Sequence, residues 1–289
     1  MTMMTSQTTQ TMHKSIDLGF SKQTSFSSVL RISLVRDLRI MMRYKANLIG
    51  GFLQIGVFMF IFSIFATAAT FRGMDLTSSE IYTFYLSGMT LIFFGDAVLY
   101  STVNTVNQEL YNGTLEYVYS SPSSRYAYFL GGVVASFIKN LIFYIQMFIG
   151  LVLYQDISVV NLTSILLITL VFLIVLAPMG VMIAMGAIMW KQVAQITAMV
   201  NIVMQFMSGI FLPVSTLPTV AQYIAYLVPF TFALDLVRYY SFGGNWDLLM
   251  PKEYEFAFLL LHGVIYFFAT RYLLGRVERY AKKQGLHLL

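Results

Sequence analysis

Two ionisable side chains, Asp96 and Lys139, stand inside long apolar runs, and two carboxylates, Glu109 and Glu116, fall in the polar stretch NQELYNGTLEYVYSSPSSRY at residues 107 to 126. A charge at the centre of a membrane helix costs about 2.5–3.5 kcal/mol on insertion scales, so residues of this kind mark ion pairs, polar conduits or contacts between helices. Consecutive antiparallel helices bring Asp96 and Lys139 within reach of one another, which predicts an ion pair; structural and transport roles for the pair are both open. Other polar residues recur at helical spacing. Thr197, Asn201, Gln205 and Ser208 share one stripe, and Asn47, Gly51, Gln54, Phe58 and Phe65 share another. Polar side chains gain nothing by facing lipid, so both stripes face protein or a cavity. Hydrolytic chemistry has no support: His13, His262 and His287 are scattered, and no intramembrane carboxylate dyad or G-x-S-x-G elbow occurs. The chain has no cysteine, which removes thiolate metal sites, disulfides and cysteine nucleophiles.

The elements that carry these residues follow from composition. Hydrophobic residues make up 58% of the 289 and charged ones 11%, against roughly 45–50% and roughly 25% in ordinary globular chains. Apolar stretches of about 20 residues recur, each long enough to cross a hydrocarbon core of about 30 Å. The spacing predicts an all-α membrane protein with six spans at 46–70, 81–103, 124–154, 162–189, 193–212 and 253–274. Residues 1–25, rich in Ser, Thr and Gln, read as a disordered tail. Over residues 26–45, Leu30, Leu34, Leu38 and Met41 fall on one helical face while Arg36, Arg39 and Arg43 fall on another. That pattern predicts a basic amphipathic helix lying along the membrane surface, the alternative being a soluble helix on a partner subunit. Residues 213–247 are apolar but broken by Pro213, Pro218, Pro229, Gly243 and Gly244, which predicts short helices that enter one leaflet and return.

Lysine and arginine set the orientation. Lys14, Lys22, Arg31, Arg36, Arg39, Arg43 and Lys45 precede the first span, and Arg271, Arg276, Arg279, Lys282 and Lys283 mark the end of the last. With six spans both termini lie on one side, and the positive charge makes it the cytoplasm. The residues 275–289 then form a basic cytoplasmic tail, and the loop at 104–123 faces the same compartment.

That loop is written with breaks. Asn112 and Gly113 should end the helix arriving from the second span. Thr114 can cap a new helix with Glu116 in its first turn, and Ser121 before Pro122 can cap the third span. The result is a short exposed helix, too short to be stable alone in water and suited to resting on another protein. An ordinary turn between neighbouring spans is the simpler alternative.

Glu109, Gly113, Thr114, Leu115, Glu116, Ser121, Pro122 and Arg125 resemble the coupling-helix pattern of the type-2 permease family of ABC exporters. Ser208, Gly209, Pro213, Leu217, Pro218, Pro229, Ala233, Asp235 and Arg238 resemble the family's signature after its fifth span, and the likeness extends over residues 26 to 274. The resemblance implies a plasma-membrane permease that pairs with a second copy, as homodimer or heterodimer, above two ATPase subunits. It implies that Glu109, Gly113, Thr114, Leu115, Glu116, Pro122 and Arg125 meet the ATPase. It also places the first and fifth spans, with Asn47, Gly51, Gln54 and the stripe from Thr197 to Ser208, near the dimer axis and the route. Asp235 and Arg238 either pair with each other or serve as a gate.

No G-x-x-x-x-G-K-[ST] run occurs in the chain, so ATP and Mg belong to the partner, no cofactor is expected here, and no nucleic acid is implied. A secondary transporter driven by an ion gradient is the main rival, although the broken segment appears once rather than in paired repeats. A membrane-embedded hydrolase is the weaker one. The aromatic content of 16% fits interfacial belts as well as a lined path and names no cargo.

Overall fold

The computed structural model describes residues 25–68, 76–114, 117, 124–154, 157–190 and 193–284. Residues 1–24 of the predicted tail at 1–25 and most of the predicted short helix, including Leu115, Glu116, Ser121 and Pro122, lie outside the described residues. Among the described residues the chain is all helical: α1 (Phe26–Arg43), α2 (Lys45–Ala68), α3 (Ser78–Tyr111), α4 (Arg125–Tyr154), α5 (Val159–Trp190), α6 (Val193–Met207), a 3-10 turn (Val214–Thr216), α7 (Thr219–Ala225), α8 (Pro229–Ser241) and α9 (Lys252–Gln284).

Helix α3 is the centre of the bundle, packing on α2, α4, α5, α6 and α8. A reciprocal capping box starts it. Thr77 N donates to Glu80 Oε2 at 2.7 Å and Glu80 N donates to Thr77 Oγ1 at 3.3 Å, satisfying donors that the first turn leaves free. At 34 residues α3 is about 51 Å long and must project beyond a core of about 30 Å. It stops at the predicted break, where Gly113 adopts φ 66°. Phe84, Leu86, Leu91 and Leu99 on α3 are fully buried with Phe172 of α5 and Phe230 and Phe232 of α8. In α5, Pro178 interrupts the helical hydrogen bonds, and its carbonyl accepts from Thr270 Oγ1 of α9 at 2.7 Å.

Among the described residues five helices are long and apolar enough to cross a membrane, and six spans result if α7 and α8, bent by 89° at their break, count as one. The predicted fifth span at 193–212 is corrected. Helix α6 has 15 residues, about 22 Å, and ends at Met207 because Gly209 adopts φ 85° and diverts the chain. Helix α9 holds an apolar window at Lys252–Arg276, close to the predicted last span, and continues through Arg279 to Gln284, so most of the predicted basic tail is helical.

Helix α1 lies against α4. Its Ser33 is buried, and a single residue, Tyr44, separates it from α2. The crossing is close at Gly131, where an added Cβ would overlap Ser33 Cβ and stand 3.1 Å from the Leu30 carbonyl oxygen. Gly131→Val should lift α1 from α4 at a cost of about 1–3 kcal/mol. Hydrogen exchange across Phe26–Arg43 should speed up while α3 stays protected. Gly275→Ala, where nothing lies within 4 Å of the new Cβ, should leave both unchanged.

Candidate functional site

Three polar assemblies interrupt the apolar packing. The first joins α1, the end of α3 and the start of α4. Arg36 Nε donates to Asp37 Oδ1 at 2.8 Å, and Arg36 Nη1 lies 3.6 Å from Glu109 Oε1. Arg36 Nη1 also donates to the Tyr128 hydroxyl, whose own proton is donated to Glu109 Oε1. Thr114 Oγ1 donates to the other oxygen, Glu109 Oε2. The guanidinium stands 4.8 Å from the centre of the Tyr128 ring. Burial alone would lower the Arg36 pKa, but its bonds to Asp37 and Tyr128 outweigh that cost and hold it above the ordinary arginine range. Glu109 is therefore an anchor with three separate partners. In the sequence Thr114 precedes and Tyr128 follows residues 115–123, so the clasp joins the chain on both sides of that segment. Spacing gives no signal for Asp37 and Tyr128, which sequence reasoning missed; their partners are distant in the chain or hidden among other aromatics.

The second assembly surrounds Asp96. Asn201 Nδ2 and Gln205 Nε2, both from α6, donate to Asp96 Oδ1 at 2.6 and 2.8 Å. Thr197, Asn201 and Ser208 are buried, so the polar stripe of α6 turns inward to α3. The predicted ion pair is corrected: among the described residues, Arg36–Asp37 and Arg36–Glu109 are the side-chain ion pairs, and Lys139 is not joined to Asp96. On α2, by contrast, Asn47 and Gln54 are exposed and Gly51 is half-buried. Helix α2 packs on α3 and α4 while α6 packs on α3 and α5, so the two predicted stripes stand on different sides of α3.

The third assembly pins the segment after α6. Arg238 is fully buried, and its Nη1 and Nη2 donate to the carbonyl oxygens of Gly209 and Ile210 at 2.9 and 3.1 Å. Its guanidinium lies 3.5 Å from the centre of the Phe84 ring and 5.5 Å from that of Trp246. Asp235 points elsewhere: it accepts from Trp246 Nε1 at 2.6 Å and Leu249 N at 2.8 Å. Asp235 and Arg238 thus form no salt bridge, against one of the two expectations. Pro213 precedes the 3-10 turn, Pro218 precedes α7, and Pro229 opens α8, each at a boundary where a missing N–H costs little.

The model of the ABC-2 type transporter family matches residues 24–242. The chain belongs to this family. No curated protein matches it. The matched region runs from α1 through α8 and so holds the first two assemblies and the Arg238 and Asp235 side of the third, while Trp246, Leu249 and α9 lie beyond it. This ABC-2 family member is a multi-pass membrane protein, and its membrane domain is that of a permease component of an ABC transporter.

Proposed function

We propose that this ABC-2 family member is the membrane-spanning subunit of an ATP-driven exporter in the plasma membrane, working as a dimer with two copies of a separate ATPase. In this reading six spans place both termini in the cytoplasm, with α6 and the bent pair α7–α8 sharing the work of the fifth. The transmembrane domain covers 26–274, and the loop at 104–123 meets the ATPase. The observation that carries the reading is the clasp on Glu109. It ties the surface helix α1, the end of α3 and the start of α4 on either side of that loop, so a push on the loop moves three helices together. The basic residues of α1 and of the end of α9, together with the family match, support the orientation.

Co-expression with an ATPase encoded beside its gene provides the test. The two proteins should co-purify at equal stoichiometry, and inside-out vesicles carrying both should accumulate cargo only with hydrolysable ATP. Failure to co-purify with any ATPase, together with transport that follows an ion gradient and ignores ATP, would defeat the proposal.

A further inference from the structure

Between α1, α2, α3 and α4 lies a cavity of about 250 Å³ that none of the three assemblies fills. That is far beyond the roughly 10–15 Å³ a single water takes up. Lys139 of α4 lines it with Asn47, Asn104, Gln108 and Ser136. Among the described residues, no carboxylate lies within ion-pair distance of the Lys139 ammonium. Asp37 is the one acidic residue in the lining, and it is held by Arg36, which lines the cavity too. Arg36 pairs with Asp37 and also faces Glu109 at 3.6 Å, which leaves Lys139 as the one lining cation without a carboxylate partner among the described residues.

The position of Lys139 makes that charge unusual. It stands nine residues inside the apolar window that begins at Leu130, about 14 Å along the helix, where lipid solvates an ammonium poorly. The amides of Asn47, Asn104 and Gln108 can each donate two hydrogen bonds. These three side chains are exposed at the mouth of the cavity, where they are free to meet an entering group, and a second cation would be repelled by Lys139. The approach is also positive: Arg31, Arg39 and Arg43 line the adjoining groove on α1, which shares Arg36 and Ile40 with the cavity. A row of cations at a membrane surface concentrates phosphate-bearing species near it.

We propose that the cavity beside Lys139 binds a phosphate-bearing anion, with the Lys139 ammonium as its counter-ion and the surrounding amides as hydrogen-bond donors. The phosphate belongs either to a lipid headgroup or to a soluble phosphate ester; the chemistry of the site is the same for both. Neither the identity of the cargo nor the ATPase partnership enters this assignment.

The full-length protein in neutral detergent tests it, with thermal unfolding followed against dioctanoyl phosphatidylglycerol, dioctanoyl phosphatidylcholine, and glycerol 3-phosphate. Wild type should be stabilised in a saturable way by phosphatidylglycerol and far less by the zwitterionic lipid. Lys139→Gln should raise the half-saturating concentration at least tenfold, and Lys139→Arg should keep it within about threefold. Asn104→Leu, on α3, should weaken binding while preserving the lysine, and serves if the lysine variant fails to fold. Lys252→Gln, exposed at the start of α9, should match wild type. Competition by glycerol 3-phosphate at a similar concentration would mark the occupant as a soluble ester, and its inability to compete would mark it as a lipid; both support the proposed chemistry. An unchanged half-saturating concentration in both Lys139→Gln and Asn104→Leu, or no stabilisation by any of the anions, overturns it.

Discussion

Arg238→Met should lower the stability of the protein by about 3–5 kcal/mol, the largest loss expected from any single substitution outside the apolar core. The estimate has two parts. The Gly209 and Ile210 carbonyls lose donors in a buried site, at about 1–3 kcal/mol for each unsatisfied group. The stack of the guanidinium on Phe84 adds a desolvated cation–π contact of about 2 kcal/mol, part of which the methionine regains by packing. Arg238→Lys should fall between, because an ammonium retains the charge but cannot span two carbonyls with a planar fork. Thermal unfolding of the purified variants checks the order, and limited proteolysis near residues 209–216 checks the place. If Arg238→Met unfolds like wild type and leaves that turn protected, the arginine does not pin the chain after α6.

The same turn shows where the sequence is readable and where it is not. In hydrocarbon every backbone group must be paired within the chain, so apolar length alone calls for helices, and the breaks at Gly113, Pro213, Pro218 and Pro229 fall where the backbone cannot continue one. The amphipathic period of α1 is equally local, and so is the capping box of Thr77 and Glu80. Partnerships are not local. Asp235 and Arg238, three residues apart, invite an ion pair on one helical face, yet Asp235 bonds to Trp246 and Leu249 while Arg238 crosses to α6. Neighbouring spans likewise invite Asp96 to meet Lys139. What decides the matter is that α6 packs beside Asp96 and brings two amides to a single oxygen, a contact across more than a hundred residues with no trace in spacing. The length of α6 was hidden for a related reason. Its apolar residues run on to Leu212, but the bend at Gly209 is fixed by Arg238 from a later helix.

Glu109→Lys should leave the helices inserted and ATP hydrolysis by the partner running, while cargo moved per ATP falls by tenfold or more. Within the proposed coupling, force applied to the loop reaches α1 and α4 through Glu109, which accepts from Thr114 and Tyr128 and faces Arg36 at 3.6 Å. Hydrogen bonds to a charged group contribute about 1.5–3 kcal/mol, and each 1.4 kcal/mol is tenfold in the population of the clasped state. Reversal also sets two cations against each other beside Arg36. Glu109→Gln keeps one acceptor oxygen and should lose less. Tyr128→Phe removes the hydroxyl that links Arg36 to Glu109, so it should show the same partial uncoupling. If the three groups act as one unit, the Glu109→Gln, Tyr128→Phe double variant should be little worse than the more severe single one. Additive losses would mean that Glu109 and Tyr128 act separately, and wild-type coupling in Glu109→Lys would remove the clasp from the transmission path.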